Sequence, residues 1–336
     1  MMDTSQPSFL ADLQYVARTD VGMRRANNQD SHVVSLAEDD QGWRERGDVF
    51  MVADGMGAHA AGELASKIAV ENVPPLYRHY RDLSPPEALN RAIVEGNNEI
   101  HRRGLANADF RAMGTTASIL ALLPQAAYVG HVGDSRAYRL RGRRLDQLTF
   151  DHSLQWELRS LGRMGDDSDL ARSIPKNVIT RSLGPNADVV VDVEGPFPLE
   201  LDDTFLICSD GLTGQVEDQE IASLMAHLPP REAAAALVDL ANLRGGPDNI
   251  TVVIAKVAGQ GLLDGGDVAP LRPSGRSSRG GAGDLAAWVV AGVCLVLAFF
   301  LWFADLRAPA AVSALAGVIA IVTGLVLGIL NWTIKP

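Results

Sequence analysis

Five aspartates in this sequence stand where apolar strands are predicted to begin or end. Asp54 and Asp210 each close an apolar run and precede a glycine, and Asp248 opens another run. Asp134 lies between two predicted strands, and Asp30 follows a predicted strand and a glycine turn. Strand ends of one sheet sandwich lie close together, and crowded carboxylates repel each other unless a cation joins them. Oxygen ligands alone suit a hard divalent cation, so the set predicts a Mg²⁺ or Mn²⁺ site.

Each of these aspartates has a simpler interpretation when taken alone. Asp-Gly is a common hairpin signal, because the aspartate side chain hydrogen-bonds to nearby backbone amides. The metal interpretation therefore depends on the number of such strand ends and not on any single one.

Two other kinds of site are less consistent with the residues. The seven histidines show no H-E-x-x-H or H-x-H spacing, which argues against zinc. A serine hydrolase is an alternative, because residues 133–135 read Gly-Asp-Ser and His131 or His152 could serve as the base. Arg136 stands where the protease motif has a glycine, and no oxyanion motif accompanies it. Metal chemistry is favoured.

The helices and strands that must position these aspartates are predicted to occur in groups along the chain. Helices are predicted at 60–70, 218–227 and 231–243, and the capping-box spacing of Ser84 and Glu87 predicts another that starts at Pro85. The predicted strands are 49–53, 117–123, 127–132, 137–140, 204–208 and 250–257. Groups of helices between runs of strands favour antiparallel or mixed sheets, and hence an α+β fold.

Composition narrows the class of protein. Of the 336 residues, 47% are hydrophobic and 21% charged, which is enough for a packed core. The net charge of −11 argues against a nucleic-acid partner, because such binding needs a basic face. Cys294 lies in an apolar segment, so a disulfide with Cys208 is not expected. Residues 1–18 lack the pattern of a secretory signal, and a cytoplasmic catalytic domain is predicted.

The chain is predicted to have three parts. Residues 13–257 form the globular domain, and 258–284 form a flexible linker rich in Gly, Ser, Pro and Arg. The apolar runs 285–304 and 310–332 are each long enough to cross the roughly 30 Å of a bilayer core. A buried helical hairpin is the alternative, but tryptophans near the run ends favour a transmembrane pair.

The charges around the hairpin predict its orientation. Arg272, Arg276 and Arg279 precede the first run, and Lys335 follows the second. By the positive-inside tendency, both termini face the cytoplasm and the protein is a multi-pass protein of the cell (inner) membrane.

The ordered motifs resemble those of the metal-dependent Ser/Thr protein phosphatases of type 2C, bacterial branch, over roughly residues 16–257. They are Arg25-x-x-Asn28-Gln29-Asp30, Asp54-Gly55-Met56-Gly57, Gly114-Thr115-Thr116, Gly133-Asp134-Ser135-Arg136, Asp151-His152-Ser153, Thr180-Arg181-Ser182-Leu183-Gly184, Ser209-Asp210-Gly211 and Asp248-Asn249. The resemblance implies an α-β-β-α sandwich of two antiparallel sheets flanked by helices. It also implies hydrolysis of phosphoserine and phosphothreonine by a water that two Mn²⁺ or Mg²⁺ ions activate.

The resemblance also implies the roles of individual metal-site residues. Asp54 would bridge the two ions, and the Gly55 carbonyl would bind one of them. Asp210 and Asp248 would complete the shell of the first ion. Asp30 would act around the second ion, partly through water. In bacterial relatives, an acidic pair that matches Asp134 and Asp210 holds a third, weaker ion.

Further residues are assigned around this centre. The resemblance implies that Arg25 binds the substrate phosphate, a role that suits a planar bidentate donor. It also implies that Asn249 supports the site through hydrogen bonds. Two positions depart from the family pattern: Gln29 stands where many relatives have glutamate, and Met56 where animal members have histidine. His59 is nearby and is a candidate general acid.

The implied partners are phosphorylated proteins, including substrates of a Ser/Thr kinase, and membrane lipid through the hairpin. A catalytically silent relative that binds phosphoproteins is the alternative. The presence of Asp30, Asp54, Asp210 and Asp248 favours the enzyme.

Overall fold

The computed structural model describes residues 12–57, 60–161 and 178–263. The strands in these residues are β1 Leu13–Asp20, β2 Asp30–Ser35, β3 Asp48–Met56, β4 Gly114–Thr115, β5 Ala117–Leu123, β6 Ala126–Val132, β7 Arg136–Arg141, β8 Arg144–Gln147, β9 Asp192–Pro198, β10 Thr204–Cys208 and β11 Ile250–Val257. The α-helices are α1 Asp40–Arg46, α2 Ala61–His79, α3 Pro85–Ala106, α4 Leu154–Ser160, α5 Asp210–Thr213, α6 Asp218–His227 and α7 Pro230–Leu243.

The strands form two antiparallel sheets. The first has the order β1-β11-β10-β7-β8, and the second has the order β2-β3-β5-β6-β9 with β4 paired to β3. Neighbouring strands pair antiparallel throughout both sheets. The predicted α+β class with two antiparallel sheets is confirmed.

Strand β3 shows why an unbroken apolar run forms a strand here. Successive side chains of a strand point to opposite faces. Val49, Met51 and Ala53 face the core under α2 and α3, whereas Phe50 and Val52 face the core between the sheets. Both faces of β3 are buried, so the strand carries no alternation of apolar and polar residues.

Strand β11, in the first sheet, is likewise buried on both faces. Val253 and Ala255 pack between the sheets, and Val252 and Ile254 pack under α6 and α7. The described residues therefore form a sandwich with an apolar layer between the sheets and another on each outer side, beneath helices.

The helices begin largely where the sequence predicts. The Glu87 carboxylate accepts hydrogen bonds from Ser84 N at 3.1 Å and Ser84 Oγ at 2.6 Å, so the predicted capping box is present. The prediction for α2 was too short, because this helix continues through Pro74 and Pro75. Tyr77, in its last turns, is fully buried, and this packing favours helix beyond the prolines.

The flexible linker was predicted to start at residue 258, but residues 258–263 pack on the domain: Leu262 is buried in the core between the sheets, and Ala258 N donates to the Asp12 carbonyl at 2.7 Å. The rest of the predicted linker and the hairpin at 285–332 lie outside the described residues. Among the residues that are described, no helix combines the length and the apolar character needed to span a bilayer.

Candidate metal centre

Asp30 and Asp54 are brought together by the pairing of β2 with β3. The two residues stand directly opposite each other in the register of this antiparallel pair, which places their backbones about 5 Å apart. Gly55 follows, and a Cβ there would lie 2.2 Å from the Gly62 carbonyl oxygen. Only glycine therefore fits where the end of β3 passes the start of α2.

Asp210 and Asp248 reach the same edge from the other sheet. Asp210 starts the short helix that follows β10, and Asp248 precedes β11, which pairs with β10. Ser209 Oγ donates to Asp30 Oδ2 at 2.7 Å and accepts from Thr251 N at 3.0 Å. This serine joins the two sheets at the point where the aspartates meet.

The Asn249 side chain fixes the loop before β2. Its Oδ1 accepts from Gln29 N at 2.8 Å. Its Nδ2 donates to the carbonyls of Val21 at 2.9 Å and Asn27 at 3.0 Å. Asn249 therefore holds the loop that carries Arg25 against the start of β11.

The Asp134 turn is attached to Asp54 through two hydroxyl groups. Thr116 Oγ1 accepts from Asp54 N at 2.9 Å and bonds with Ser135 Oγ at 2.7 Å. Gly133 has φ +114°, and a Cβ there would lie 2.5 Å from the Thr116 side chain. The turn thus needs glycine and is held close to the end of β3.

A buried histidine holds the other side of the turn. His152 Nδ1 accepts from Gly133 N at 3.0 Å, so the ring proton lies on Nε2, which donates to Asp192 Oδ2 at 2.9 Å. Asp192 also accepts from Arg181 Nη1 at 3.2 Å.

The serine-hydrolase alternative has no support in this geometry. Ser135 is fully buried and its hydroxyl bonds with Thr116. His131 Nδ1 bonds with Ser118 Oγ at 2.9 Å, and burial lowers the pKa of His131 to about 4. His152 Nδ1 is occupied by the hydrogen bond that it accepts from Gly133 N. Neither histidine is hydrogen-bonded to Ser135, so the nucleophile and its base do not form a pair.

The carboxylates strongly perturb one another. Burial first, and then the charges of Asp30, Asp210, Asp134 and Asp248, raise the pKa of Asp54 well above its usual value. Burial also raises the pKa of Asp30 to about 7, against hydrogen bonds from Thr251 and Ser209.

Asp134 and Asp210 are affected in the same way. Burial and the charge of Asp210 raise the pKa of Asp134 to about 8. Burial and the charge of Asp248 raise the pKa of Asp210. A set of carboxylates that each favour the neutral form is one that divalent cations would stabilise in the charged form.

The donor atoms fit such cations. Asp30 Oδ1, Asp134 Oδ1 and Asp210 Oδ1 are buried and have no hydrogen-bond partner among the described residues. All these donors are hard oxygens, as Mg²⁺ and Mn²⁺ prefer. Uncompensated buried oxygens on three neighbouring carboxylates are costly, and this cost is what a bound cation removes.

The side chains are not, however, arranged as a finished ligand shell. In the described part of the chain, no three or more His, Cys, Asp or Glu side chains already meet as metal ligands. Instead, Asp30 accepts from Ser209, and Asp248 Oδ2 accepts from Arg25 Nη2 at 2.6 Å. The aspartates are assembled at one edge, and their present rotamers are set by hydrogen bonds within the chain.

Arg25 lies at the solvent side of this centre. Its side chain is 48% exposed, and its only hydrogen bond within the described residues is the one to Asp248. Its other N–H groups remain available for a ligand.

The sequence did not single out two residues of this centre. Ser209 and Thr116 were part of quoted motifs, but only the pairing of strands shows which carboxylate each one contacts. His59, the candidate general acid, lies outside the described residues. Gln29 Nε2 donates to the Gly57 carbonyl at 3.4 Å, which places this departure from the family pattern beside the end of β3.

Comparisons with known proteins agree with this geometry. Residues 23–241 match the family described as Protein phosphatase 2C. Protein phosphatase PhpP of Streptococcus pneumoniae is 35% identical over 257 residues, which cover 71% of this chain and 95% of PhpP.

Solved structures give the same family. The serine/threonine phosphatase PstP/Ppp of Mycobacterium tuberculosis is 33% identical with a TM-score of 0.62, covering 74% of this chain and 99% of that one. The catalytic domain of PstP in complex with two manganese ions is 33% identical with a TM-score of 0.60, at the same coverage.

Proposed function

The chain belongs to the protein phosphatase 2C family and is a metal-dependent protein-serine/threonine phosphatase, and we propose that it is tethered to a membrane. We further propose that it removes phosphate from phosphoserine and phosphothreonine through two cations that activate water. The observation that carries the second proposal is the buried set of mutually repelling aspartates, drawn from both sheets to one edge.

The family uses Mn²⁺ or Mg²⁺. In this chain Asp54 would contact both ions, with the Gly55 carbonyl, Asp210, Asp248 and Asp30 completing their surroundings. Bound there, a pair of such ions supplies a water of lowered pKa and positive charge that offsets the charge on a phosphate. In the same proposal, Asp134 and Asp210 hold a third, weaker ion.

The chain's own residues bind and orient the substrate. Arg25 presents a planar guanidinium whose remaining N–H groups can bind two phosphate oxygens. Its bond to Asp248 keeps the guanidinium at the mouth of the centre. Asn249 keeps the loop of Arg25 fixed through the carbonyls of Val21 and Asn27. Protonation of the leaving hydroxyl by His59 stays a prediction.

The test of this chemistry is phosphate release from a phosphothreonine peptide by the purified full-length chain. We expect hydrolysis with Mn²⁺, and at least about 10²-fold less after excess chelator, because the aspartates cannot replace the charge of the ions. Re-addition of Mn²⁺ is the control for damage by the chelator. Hydrolysis that continues unchanged in chelator would contradict the proposal.

The substrates are phosphorylated proteins, and we propose that they include those of a membrane Ser/Thr kinase. The proposal of a tether rests on the two apolar runs at 285–304 and 310–332, which are separated by a short polar turn. The basic residues that flank the runs favour a cytoplasmic location for both termini and for the catalytic domain.

Cell fractionation tests the tether. The full-length chain is expected in the membrane fraction after an alkaline carbonate wash, because two spans of about 20 apolar residues partition irreversibly into lipid. A chain that ends at residue 284 retains the linker and is expected in the supernatant. A full-length chain that is extracted by carbonate would rule out the two spans.

A further inference from the structure

A loop at the mouth of the metal centre carries exposed side chains that the proposed chemistry does not use. We call residues 21–26, between β1 and β2, the rim loop. Met23 is 68% exposed, and Arg24 and Arg25 are also exposed. Because Arg25 bonds with Asp248, this loop borders the place where the phosphate would bind.

The exposure of the rim loop is not a consequence of a loose backbone. Met23 N donates to the Gly246 carbonyl at 2.7 Å. Asn249 Nδ2 ties down both ends of the loop through the carbonyls of Val21 and Asn27, at 2.9 and 3.0 Å. The main chain is therefore held in place while its side chains face solvent. A preorganised surface of this kind loses little entropy on binding.

Gly22 confirms how closely the loop fits its neighbour. It has φ +76°, and a Cβ there would lie 2.1 Å from the carbonyl oxygen of Asp248. The rim loop thus packs directly on the segment that carries one of the metal-site aspartates.

The exposed groups combine an apolar and a cationic surface. Leu243, at the end of α7, is 85% exposed and stands three residues before Gly246, the residue that holds Met23. Arg24 forms no hydrogen bond or ion pair with any residue that the structure describes. Met23 and Arg24 thus present an apolar and an unpaired cationic side chain on a loop that borders the metal centre, and Leu243 lies close to this loop along the chain.

We propose that the rim loop and Leu243 bind the polypeptide that flanks the phosphorylated residue of the substrate. An apolar side chain of the substrate contacts Met23 and Leu243, and a carboxylate of the substrate pairs with Arg24. The net charge of the chain is −11, so the protein as a whole repels acidic peptides. An unpaired arginine at the mouth of the metal centre attracts an acidic flank locally and so selects for it. This inference rests on the proposed phosphatase function and adds a substrate class to it.

The test compares substrates with and without flanking residues on the full-length chain with Mn²⁺. p-Nitrophenyl phosphate has no flank and reports the metal centre alone. Phosphothreonine peptides carry alanine flanks, a Leu and Asp pair, or a Leu and Lys pair, placed on either side of the phosphothreonine. For one placement we expect kcat/KM to be roughly fivefold higher with Leu and Asp than with alanine, the size of one exposed contact and one exposed ion pair.

Variants assign this preference to the rim loop. Arg24→Glu is expected to reverse the preference of the enzyme for the Asp peptide over the Lys peptide. The double variant Met23→Ala, Leu243→Ala is expected to lose the preference for a Leu flank. All are expected to hydrolyse p-nitrophenyl phosphate at the wild-type rate. Arg44→Glu and Leu105→Ala are matched controls, because these exposed side chains lie on α1 and α3 and should leave every preference unchanged.

Each outcome bears on a different part of the account. Equal kcat/KM for all peptides, or an unchanged preference in Arg24→Glu, would overturn the inference while p-nitrophenyl phosphate hydrolysis upholds the phosphatase. Failure to hydrolyse p-nitrophenyl phosphate would instead contradict the proposed phosphatase function. If the variants weaken binding to vesicles of anionic lipid while peptide preference is unchanged, the rim loop and Leu243 face lipid and the inference is wrong.

Discussion

Replacing Asp54 by asparagine is expected to lower kcat for phosphate-ester hydrolysis in Mn²⁺ by at least about 10³-fold. Losing a single preorganised charge-stabilising group typically costs 10²–10³ in kcat, and this carboxylate would serve both ions. Asparagine has the same shape, and the hydrogen bonds of the Asp54 backbone to Thr116 do not depend on the side chain. The loss should therefore appear in a folded protein, measured on p-nitrophenyl phosphate and on a phosphothreonine peptide.

Asp48→Asn is the matched control for this substitution. Asp48 lies on the same strand, is fully buried, and accepts from Ala37 N at 2.7 Å, at the end of β3 away from the cluster. Its replacement should leave kcat within a few fold of the wild type. Should Asp54→Asn retain a tenth or more of the activity, Asp54 would not be the residue that holds the ions.

In excess chelator, the free energy of unfolding is expected to fall as the pH rises from about 4 to about 8. The folded-state pKa is raised to about 7 for Asp30 and about 8 for Asp134, whereas both are near 4 in an unfolded chain. Between these values the folded state holds protons that the unfolded state has lost, so stability is present at low pH and is lost as the pH rises through the folded pKa. The loss should be on the order of a few kcal/mol, measured by denaturant titration.

Two comparisons assign this pH dependence to the cluster. At pH 8 in chelator, Asp54→Asn is expected to be more stable than the wild type by on the order of 1–3 kcal/mol, because one of the mutually repelling charges is gone. Adding Mn²⁺ at 100 times its dissociation constant should stabilise the wild type by about 2.7 kcal/mol per ion. Asp54→Asn should gain less. Wild-type stability that rises with pH in chelator would contradict these assignments.

The strands buried on both faces could be predicted from the sequence. The ranges 117–123, 204–208 and 250–257 coincide with β5, β10 and β11, because burial on both sides leaves an uninterrupted apolar run. Besides the two-residue β4, the strands β2, β8 and β9 were not predicted, and β1 was expected only as a strand without bounds before the Gly22 turn. These four strands lie at sheet edges and leave many side chains partly or fully exposed, and β9 contains Gly195 and Pro196, so none of them shows a continuous apolar signal.

The convergence of the aspartates at one edge could be predicted, because Asp54, Asp210 and Asp248 each end or begin such a run, and their role as metal ligands stays a prediction. Their partners could not be predicted, because a hydrogen bond between Ser209 and Asp30 joins residues that are 179 positions apart. Strand register decides this contact, and the opposition of Asp30 to Asp54 as well. Register depends on the tertiary pairing of strands and is not visible in a local pattern.

The pairing of Arg25 with Asp248 was also not predicted. The resemblance assigned one residue to phosphate and the other to a metal ion, yet the structure joins them at 2.6 Å. A carboxylate and a guanidinium that border one pocket attract each other whenever no stronger ligand competes. The roles of both residues in the bound state stay predictions.

The most direct measurement is a crystal of the protein soaked in Mn²⁺, with anomalous scattering recorded at the manganese edge. We predict two strong peaks among the carboxylates of Asp54, Asp210, Asp248 and Asp30, with a weaker third peak beside Asp134. Both strong peaks should be lost in Asp54→Asn. An active crystal form with no anomalous peak among these side chains, or with peaks only elsewhere, would contradict the account.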